Sequence, residues 1–250
     1  MTHYTGSGGT DGGNMVMFWP ENLPEEADTM LENDPFSFAE TMREEGKILW
    51  FLCDGDGDFS VTVYVDEEPP ADLRSFLEHE EEHYPDVYVK GSTYFGGLEY
   101  MYRKHNPLIE EFPDMCGKLE IPDGIYQGNV YRTNIPPAFS RTWLMQRMGA
   151  SRYRVLHWQQ LLSKASLVGV VGVLFAFFFL VWYIWLAAVG AVLLTFVSAV
   201  LLARSESCRE AIVAIDEFTK QFPEYVVLLT SQPPEAAAEP ENELLAMPVG

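Results

Sequence analysis

The residues that decide the architecture are 165–203, ASLVGVVGVLFAFFFLVWYIWLAAVGAVLLTFVSAVLLA, a run of 39 residues without a charged side chain. A helix of about 20 apolar residues, rising about 1.5 Å per residue, spans the hydrocarbon core of a bilayer. One straight helix over the whole run would be about twice as long as this core is thick. The run therefore predicts two transmembrane helices, about 165–183 and 185–203, that fold back as a hairpin. A single long span with an interfacial extension is the alternative.

Two features of this run favour the hairpin. Trp182, Tyr183 and Trp185 lie at its midpoint, where a hairpin places them at the far headgroup layer that amphipathic rings prefer. Small residues recur at helical spacing in both halves and allow helix backbones to approach closely in lipid. The predicted helix-packing residues are Ala165, Gly169, Gly172 and Ala176 in the first half and Ala188, Ala191, Thr195 and Ser198 in the second. The same small residues would also permit a homo-oligomer, including a pore.

Charge divides the 250 residues, whose net charge is −21, into three parts. Residues 1–140 carry 28 acidic and 8 basic side chains, 141–204 carry six basic and no acidic ones, and 205–250 carry nine acidic and two basic ones. The predicted cations of the membrane interface are Arg141, Arg147, Arg152, Arg154, Lys164 and Arg204. Because Lys and Arg mark the cytoplasmic side, we expect an integral protein of the plasma or inner membrane with both termini cytoplasmic.

Composition also argues against several classes of protein. The acidity disfavours a nucleic-acid partner, because phosphate contacts need clustered Lys and Arg. Three cysteines are too few for a disulfide scaffold or a four-cysteine zinc site. The uncharged run disfavours a proton relay or ion path, since such paths use ionisable groups within the membrane.

The remainder of the chain predicts an α+β fold. Residues 59–65 alternate apolar and polar side chains, which is typical of a half-buried strand, and the Asp-Gly pairs of 54–58 predict a hairpin turn before it. The other predicted strands are 15–19, 48–53, 87–90, 93–101, 117–121 and 125–132. We expect residues 14–135 to form an acidic soluble domain, with an antiparallel sheet or small β-sandwich, that folds on its own.

The segments outside this domain follow from composition and periodicity. The predicted segments are a disordered tail over 1–13, a basic juxtamembrane segment over 138–164, a cytoplasmic amphipathic helix with a short apolar run over 205–230, and a disordered, acidic and Pro-rich tail over 231–250.

Residues 79–83, His-Glu-Glu-Glu-His, match the H-E-x-x-H pattern, in which two His one helical turn apart bind zinc. This pattern of five residues resembles that of the zincin metalloproteases. The resemblance implies His79 and His83 as zinc ligands, Glu80 as general base and a third ligand such as Glu99. Pro85 would end such a helix at once, and a solvated, Glu-rich surface helix that happens to include two His explains the match better.

The sequence thus predicts a membrane-anchored, non-enzymatic binding or scaffolding protein. Its acidic cytoplasmic domain would face a protein partner, its hairpin would contact the lipid bilayer, and it would need no cofactor. The alternative is a membrane-anchored, zinc-dependent hydrolase that uses His79, Glu80 and His83.

Overall fold

The computed structural model describes residues 3–104, 111–179 and 182–232, without the side chains of residues 78, 79, 172, 174–179 and 182–187. The fold is mixed α+β with two sheets, as expected. The chain divides into two compact units, a sheet unit of residues 1–134 with 223–250 and a helical unit of residues 135–222. The helical unit is therefore an insertion within the sheet unit.

Among the described residues, nine strands form the two sheets of the sheet unit. They are β1 His3–Thr10, β2 Asn14–Phe18, β3 Ile48–Leu52, β4 Gly57–Val65, β5 Leu77–Val89, β6 Thr93–Gly97, β7 Cys116–Leu119, β8 Gly124–Thr133 and β9 Tyr225–Ser231. Sheet A has the order β1-β4-β9-β8-β5, and sheet B has the order β3-β2-β6-β7. Neighbouring strands are antiparallel except β4 and β9, which are parallel. The expected α+β fold with an N-terminal sheet domain is confirmed, but sheet A is mixed and not purely antiparallel.

Side chains alternate along β2 between two separate cores, because successive residues of a strand point to opposite faces. Met15 and Met17 pack against sheet A, in one cluster with Val63 of β4 and Val227 of β9. Val16 and Phe18 pack on the other face, against the short helices α1 Ala27–Asn33 and α2 Pro35–Glu44. A third short helix, α3 Ala71–Arg74, precedes β5. The sheet unit thus has three layers.

The strand β9 corrects the predicted domain boundary. It lies between β4 and β8 in sheet A, and Tyr225, Val226, Val227 and Leu229 are each at most 1% exposed. Residues 14–135 alone would lack this central strand, so the prediction that they form a complete domain is wrong. The apolar run after the amphipathic helix was recognised, but its place in the sheet depends on partners distant in sequence.

The predicted disordered tail over 1–13 is also wrong, because His3–Thr10 forms β1. This strand pairs with β4 from His3 opposite Tyr64 to Thr10 opposite Gly57. A Cβ atom on Gly8 would lie 2.3 Å from the carbonyl oxygen of Phe95. Glycine at this position lets the backbone of β1 approach sheet B closely. The glycine-rich composition, which resembles that of a flexible tail, therefore allows tight packing.

The predicted hairpin turn at 54–58 is a connection between the sheets. The strands on either side of it, β3 and β4, belong to sheet B and sheet A respectively. The Asp-Gly pairs therefore indicated correctly that the chain turns between β3 and β4, but they did not show that these two strands pair with different partners. The predicted tail over 231–250 begins inside β9 at Ser231, and its residues from 233 onward lie outside the described residues.

The described part of the helical unit consists of four helices: α4 Pro137–Met148, α5 Ala150–Phe179, α6 Trp182–Ala203 and α7 Glu206–Gln221. Gly149, with φ +85°, separates α4 from α5. Ser166 of α5 meets Thr195 of α6, and Gly169 meets Val192, so the two long helices run antiparallel. Among the described residues no single helix has both the length and the hydropathy of a membrane span, although the pair Ala188–Ala203 and Glu206–Gln221, bent by 66°, meets both criteria together.

Candidate functional site

The H-E-x-x-H segment lies on a strand, so the predicted helix at 79–83 is wrong. Residues 79–83 belong to β5, the outer strand of sheet A, where His79 is opposite Arg132 and His83 is opposite Asn129. Four residues along a strand separate Cα atoms by about 13 Å, whereas zinc–imidazole bonds are about 2.1 Å. The strand therefore lacks the geometry on which the zincin resemblance depends.

The polar groups near His83 come from neighbouring side chains. Its Nδ1 lies 2.6 Å from Oδ1 of Asn129 and its Nε2 lies 3.3 Å from Nε2 of Gln127. Oε1 of Glu80 is 3.6 Å from Nδ1. The side chain of His79 lies outside the described part, and among the described residues no three His, Cys, Asp or Glu side chains are grouped to hold a metal. We therefore do not propose the hydrolase.

The acidic residues of β5 have a structural explanation. An outer strand exposes unpaired backbone groups that can pair with another chain, and charges, bulges and Pro all hinder such pairing. β5 carries Glu80 and Glu82, the only proline of the segment at 85, and three irregularities in its register with β8. The Glu-rich composition that resembled a catalytic motif is typical of a protected edge.

Glu99, the predicted third ligand, instead borders a pocket of about 290 Å³ in the sheet unit. We call this the Glu99 pocket. One wall is formed by Leu31, Pro35, Phe36, Leu98 and Tyr102, and the other side by Gly12, Asn14 and Glu99. The wall comes from α1, the start of α2 and the turn after β6, which Asp34 helps to position by capping α2 at Ser37.

Hydrogen bonds hold the Glu99 carboxylate at the edge of this pocket. Oε1 accepts from the backbone N–H of Asp11 at 3.0 Å, and Oε2 accepts from the hydroxyl of Thr10 at 3.3 Å. The Thr10 hydroxyl also accepts from the N–H of Gly12 at 3.1 Å. An ionised carboxylate has about four acceptor positions, so Glu99 retains acceptor capacity for a ligand.

The surroundings of the Glu99 pocket are electrostatically negative. Burial first, and then the Glu99 charge, raise the pKa of the Cys116 thiol to about 12. Burial, followed by the charges of Glu32 and Asp28, raises the pKa of Tyr102. A ligand that combines an apolar group with a positive charge would match this site.

Sequence reasoning named Glu99 but missed the apolar residues of this site, of which Phe36 is the most informative. It is 56% exposed, whereas its neighbour Phe38 is 2% exposed and belongs to the core. The sequence Asp34-Pro35 could have indicated the helix start, because Pro is favoured at the first helical position. Helical periodicity counted from that start places Phe38 on the buried face and Phe36 on the exposed face. No local pattern, however, shows that Leu98 and Tyr102 lie nearby.

The predicted interface cations fall into two groups. Arg147 forms two hydrogen bonds with Glu217, at 2.6 and 3.1 Å, and Arg152 pairs with Glu210, so α7 compensates both charges. Arg141, Arg154, Lys164 and Arg204 are exposed and form no ion pair with another described residue. The side chains of Trp182, Tyr183 and Trp185 lie outside the described part.

The predicted packing stripes agree with the α5–α6 interface only in places. Gly169 contacts Val192, and the Ser166 hydroxyl donates to Thr195 Oγ1 at 3.1 Å. Ala188 and Ser198 are half-buried, whereas Ala165 and Ala191 are exposed in the single chain. The packing of Gly172 and Ala176 lies outside the part of the chain that the structure describes. Larger residues such as Val192 fill part of the interface, which a search for small residues overlooks.

The outward surface of α5 and α6 is apolar and exposed. Leu167, Val168 and Leu194 are 70%, 71% and 70% exposed, and Leu201 is 64% exposed. Contiguous exposed apolar surface of this kind is rare on soluble monomers and marks a membrane or protein contact.

A charged cluster joins β8 and β9 where the helical unit departs. Nη2 of Arg132 lies 2.9 Å from Asp54 Oδ2 and 3.0 Å from Glu224 Oε1. The Thr133 hydroxyl donates to the carbonyl oxygen of Pro223 at 2.7 Å, and the Glu224 N–H donates to Ser60 Oγ at 3.0 Å. We call Arg132, Asp54 and Glu224 the junction clamp, because they hold both ends of the insertion together.

Comparisons with known proteins identify no family. No family description and no curated protein matches the chain. A solved structure described as "Crocagin biosynthetic gene J" is similar with a TM-score of 0.36 and 11% identity, over 53% of this chain and 79% of that one. Similarity at this level carries no argument about what the chain does.

Proposed function

We propose that this protein is a membrane-anchored, non-enzymatic binding protein. In this proposal α5 and α6 enter a bilayer as a hairpin, and the acidic sheet unit binds a basic segment of a partner protein at the Glu99 pocket. The observation that carries the proposal is the outward surface of α5 and α6, on which Leu167, Val168 and Leu194 are at least 70% exposed. Burying such a side chain in an apolar medium contributes about 1.5–3 kcal/mol.

The length and charge of the uncharged run support a hairpin anchor. Residues 165–203 contain no charged side chain, and they include residues 180 and 181, which lie between α5 and α6 outside the described part. Lys164 and Arg204 flank the run on both sides. Cations at both ends favour a cytoplasmic position for both junctions.

The connection of the two units supports an even number of membrane crossings. The chain leaves the sheet unit after β8 and returns in β9, which are hydrogen-bonded neighbours with Arg132 opposite Tyr225. A segment that leaves and re-enters one folded unit must return to the side from which it started. A single span would place β8 and β9 on opposite sides of the bilayer and is therefore disfavoured.

Charge and shape support a basic partner for the sheet unit. Residues 1–140 carry 28 acidic against 8 basic side chains, and the Glu99 pocket combines an apolar wall with a carboxylate. A partner segment with an aliphatic or aromatic side chain beside Lys or Arg would place the apolar group against Phe36 and the cation near Glu99. Such complementarity steers association and gives specificity.

Alkaline extraction of membranes and reporters fused to the two ends test the anchor. We expect the full chain to resist extraction and both reporters to lie on the same side of the membrane. Reporters on opposite sides, or complete extraction at alkaline pH, would contradict the proposal.

Peptide binding to the full chain in detergent tests the Glu99 pocket. The probe is a labelled peptide that alternates Lys or Arg with Leu or Trp, and its counterpart carries Glu in place of each cation. We expect Glu99→Gln to weaken binding of the basic peptide about tenfold, because a hydrogen bond to a charged group contributes about 1.5–3 kcal/mol. We expect a similar loss from Phe36→Ser, because burial of an apolar side chain contributes about 1.5–3 kcal/mol. Glu68→Gln and Phe112→Ser are matched exposed controls with little expected effect. Equal effects from controls and pocket variants would assign the binding to general acidity alone.

A further inference from the structure

A groove of about 420 Å³ runs between α5 and α6. Val170, Val192 and Phe196 line one end, and Gln159, Ser163 and Ala203 line the other. Because the helices run antiparallel, one end of the groove is apolar and the other is polar. From Lys164, which precedes the uncharged run, to Val170 a helix rises about 9 Å, a length that holds part of an acyl chain.

Two exposed cations follow lining residues at the polar end of the groove. Lys164 follows Ser163 in α5, and Arg204 follows Ala203 at the end of α6. Both are exposed, and neither forms an ion pair with another described residue, in contrast to Arg147 and Arg152. No acidic residue occurs from 141 to 204, so the two helices supply no counter-charge.

Neutral hydrogen-bonding groups complete this end. Gln159 Nε2 donates to Ser163 Oγ at 3.3 Å, and both side chains line the groove. An amide and a hydroxyl can bond to the ester and phosphate oxygens of a lipid headgroup. Between Ser163 and the apolar end of the groove, α5 has one further hydroxyl, that of Ser166. It is 6% exposed and already forms hydrogen bonds with the Leu162 carbonyl oxygen and with Thr195.

We propose that this groove binds one anionic phospholipid, with an acyl chain between α5 and α6 and its phosphate beside Lys164 and Arg204. The inference rests on the proposed insertion of the hairpin into a bilayer. The apolar end of the groove suits part of an acyl chain, and the two exposed cations that follow lining residues at its polar end match the charge of the headgroup. Each basic group beside an anionic lipid surface contributes on the order of 1 kcal/mol.

The test uses the full chain reconstituted in vesicles of equal parts phosphatidylglycerol and phosphatidylcholine. After extraction in mild detergent, native mass spectrometry counts the lipids retained on each protein molecule. We expect the wild type to retain one phosphatidylglycerol. In Lys164→Gln/Arg204→Gln, the ratio of retained phosphatidylglycerol to retained phosphatidylcholine should fall about 25-fold. Arg209→Gln, on α7, is the charge control and should retain the preference.

A second pair of variants tests the acyl position. Val170→Phe fills the groove, whereas Val171→Phe adds the same ring at a neighbouring position, 64% exposed, that does not line it. We expect only Val170→Phe to reduce retention. Equal retention of both lipids, unchanged preference in the double variant, equal effects of the two Phe variants, or a lipid-free dimer would each overturn the proposal. Release of the wild-type chain by alkaline extraction would instead refute the membrane anchor itself, so the two failures are distinguishable.

Discussion

The strand β9 and the helix α6 are both rich in Val and Leu, and their surroundings differ sharply. Leu229 of β9 is 1% exposed at the centre of sheet A, whereas Leu194 of α6 is 70% exposed. Full burial of either side chain contributes about 1.5–3 kcal/mol. β9 obtains this contribution inside the chain, whereas Leu194 would obtain it in the proposed contact with lipid. Two segments of similar composition therefore differ in whether the chain itself buries their apolar side chains, and substitutions in each segment test this difference.

Removing β9 should have the largest effect. A fragment ending at Asn134 loses four side chains that are at most 1% exposed, and their burial together approaches the whole stability of a typical domain, about 5–15 kcal/mol. We expect this fragment to show no cooperative thermal transition by circular dichroism.

A matched variant removes the helical unit and retains β9. In it, a short glycine-rich linker joins Asn134 to Pro223, which is feasible because the Thr133 N–H donates to the Glu224 carbonyl at 2.9 Å. We expect this variant to melt cooperatively without detergent. Cooperative melting of the fragment ending at Asn134 would contradict the central role of β9.

A charge on the exposed face of α6 should have the next largest effect. Leu194→Arg places a cation within the uncharged run, which costs about 2.5–3.5 kcal/mol on insertion at the centre of a span. We expect a clear fall in the fraction that resists alkaline extraction. Val213→Arg, at a site of α7 that is 57% exposed, is the control and should leave this fraction unchanged. Equal resistance in both variants would mean that Leu194 does not face lipid.

The contact between α5 and α6 should respond to the size of residue 169. A Cβ atom on Gly169 would lie 2.7 Å from Cγ2 of Val192, whereas one on Gly190 would meet no described atom within 4 Å. Gly169→Val should therefore destabilise the hairpin by about 1–3 kcal/mol, measured by thermal unfolding in detergent. Gly190→Val should have a much smaller effect, and the reverse order would show that the helices pair differently.

The smallest effect concerns the end of β9 and depends on pH. Asp66 accepts hydrogen bonds from the Ser231 hydroxyl, at 2.5 Å, and from its N–H, at 2.7 Å, and these bonds lower the pKa of Asp66. The stabilisation is present above the unfolded pKa of about 3.8 and is lost as pH falls through the folded pKa. Asp66→Asn, which still tolerates φ +54°, should cost about 0.5 kcal/mol at neutral pH.

Denaturant unfolding at several pH values checks this expectation. The wild type and Asp66→Asn should differ at neutral pH and converge in acid, where the Asp66 carboxyl is protonated. A constant difference at all pH values would show that ionisation of Asp66 does not contribute.

The elements that sequence predicted well are those determined by local pattern. Alternation over 59–65 gave β4, and the periodicity after Ser205 gave α7, because side-chain spacing fixes which face is buried. The predictions that were wrong concern segments whose structure depends on contacts with residues distant in sequence. Gly6 and Gly8 resemble a flexible tail until Leu119 and Phe95 are known to lie against them, and His79 to His83 resembles a motif helix until β8 is known to pair with it.

The candidate site shows the same limit. Glu99 was named from sequence as a metal ligand, on the basis of its charge alone. Its actual neighbours, Thr10, Asp11 and Phe36, come from segments before β2 and after α1, which no local spacing connects. The acidic character of the unit was predictable, but the position of a pocket within it was not.

The late arrival of β9 has a consequence for synthesis of the chain. A ribosome adds about 5–20 residues per second, so residues 135–222 delay the last strand by several seconds. Without β9, sheet A would divide into two ribbons, β1 with β4 and β8 with β5, whose inner edges are unpaired. Completion of sheet A therefore depends on a strand that follows the helical unit in the chain.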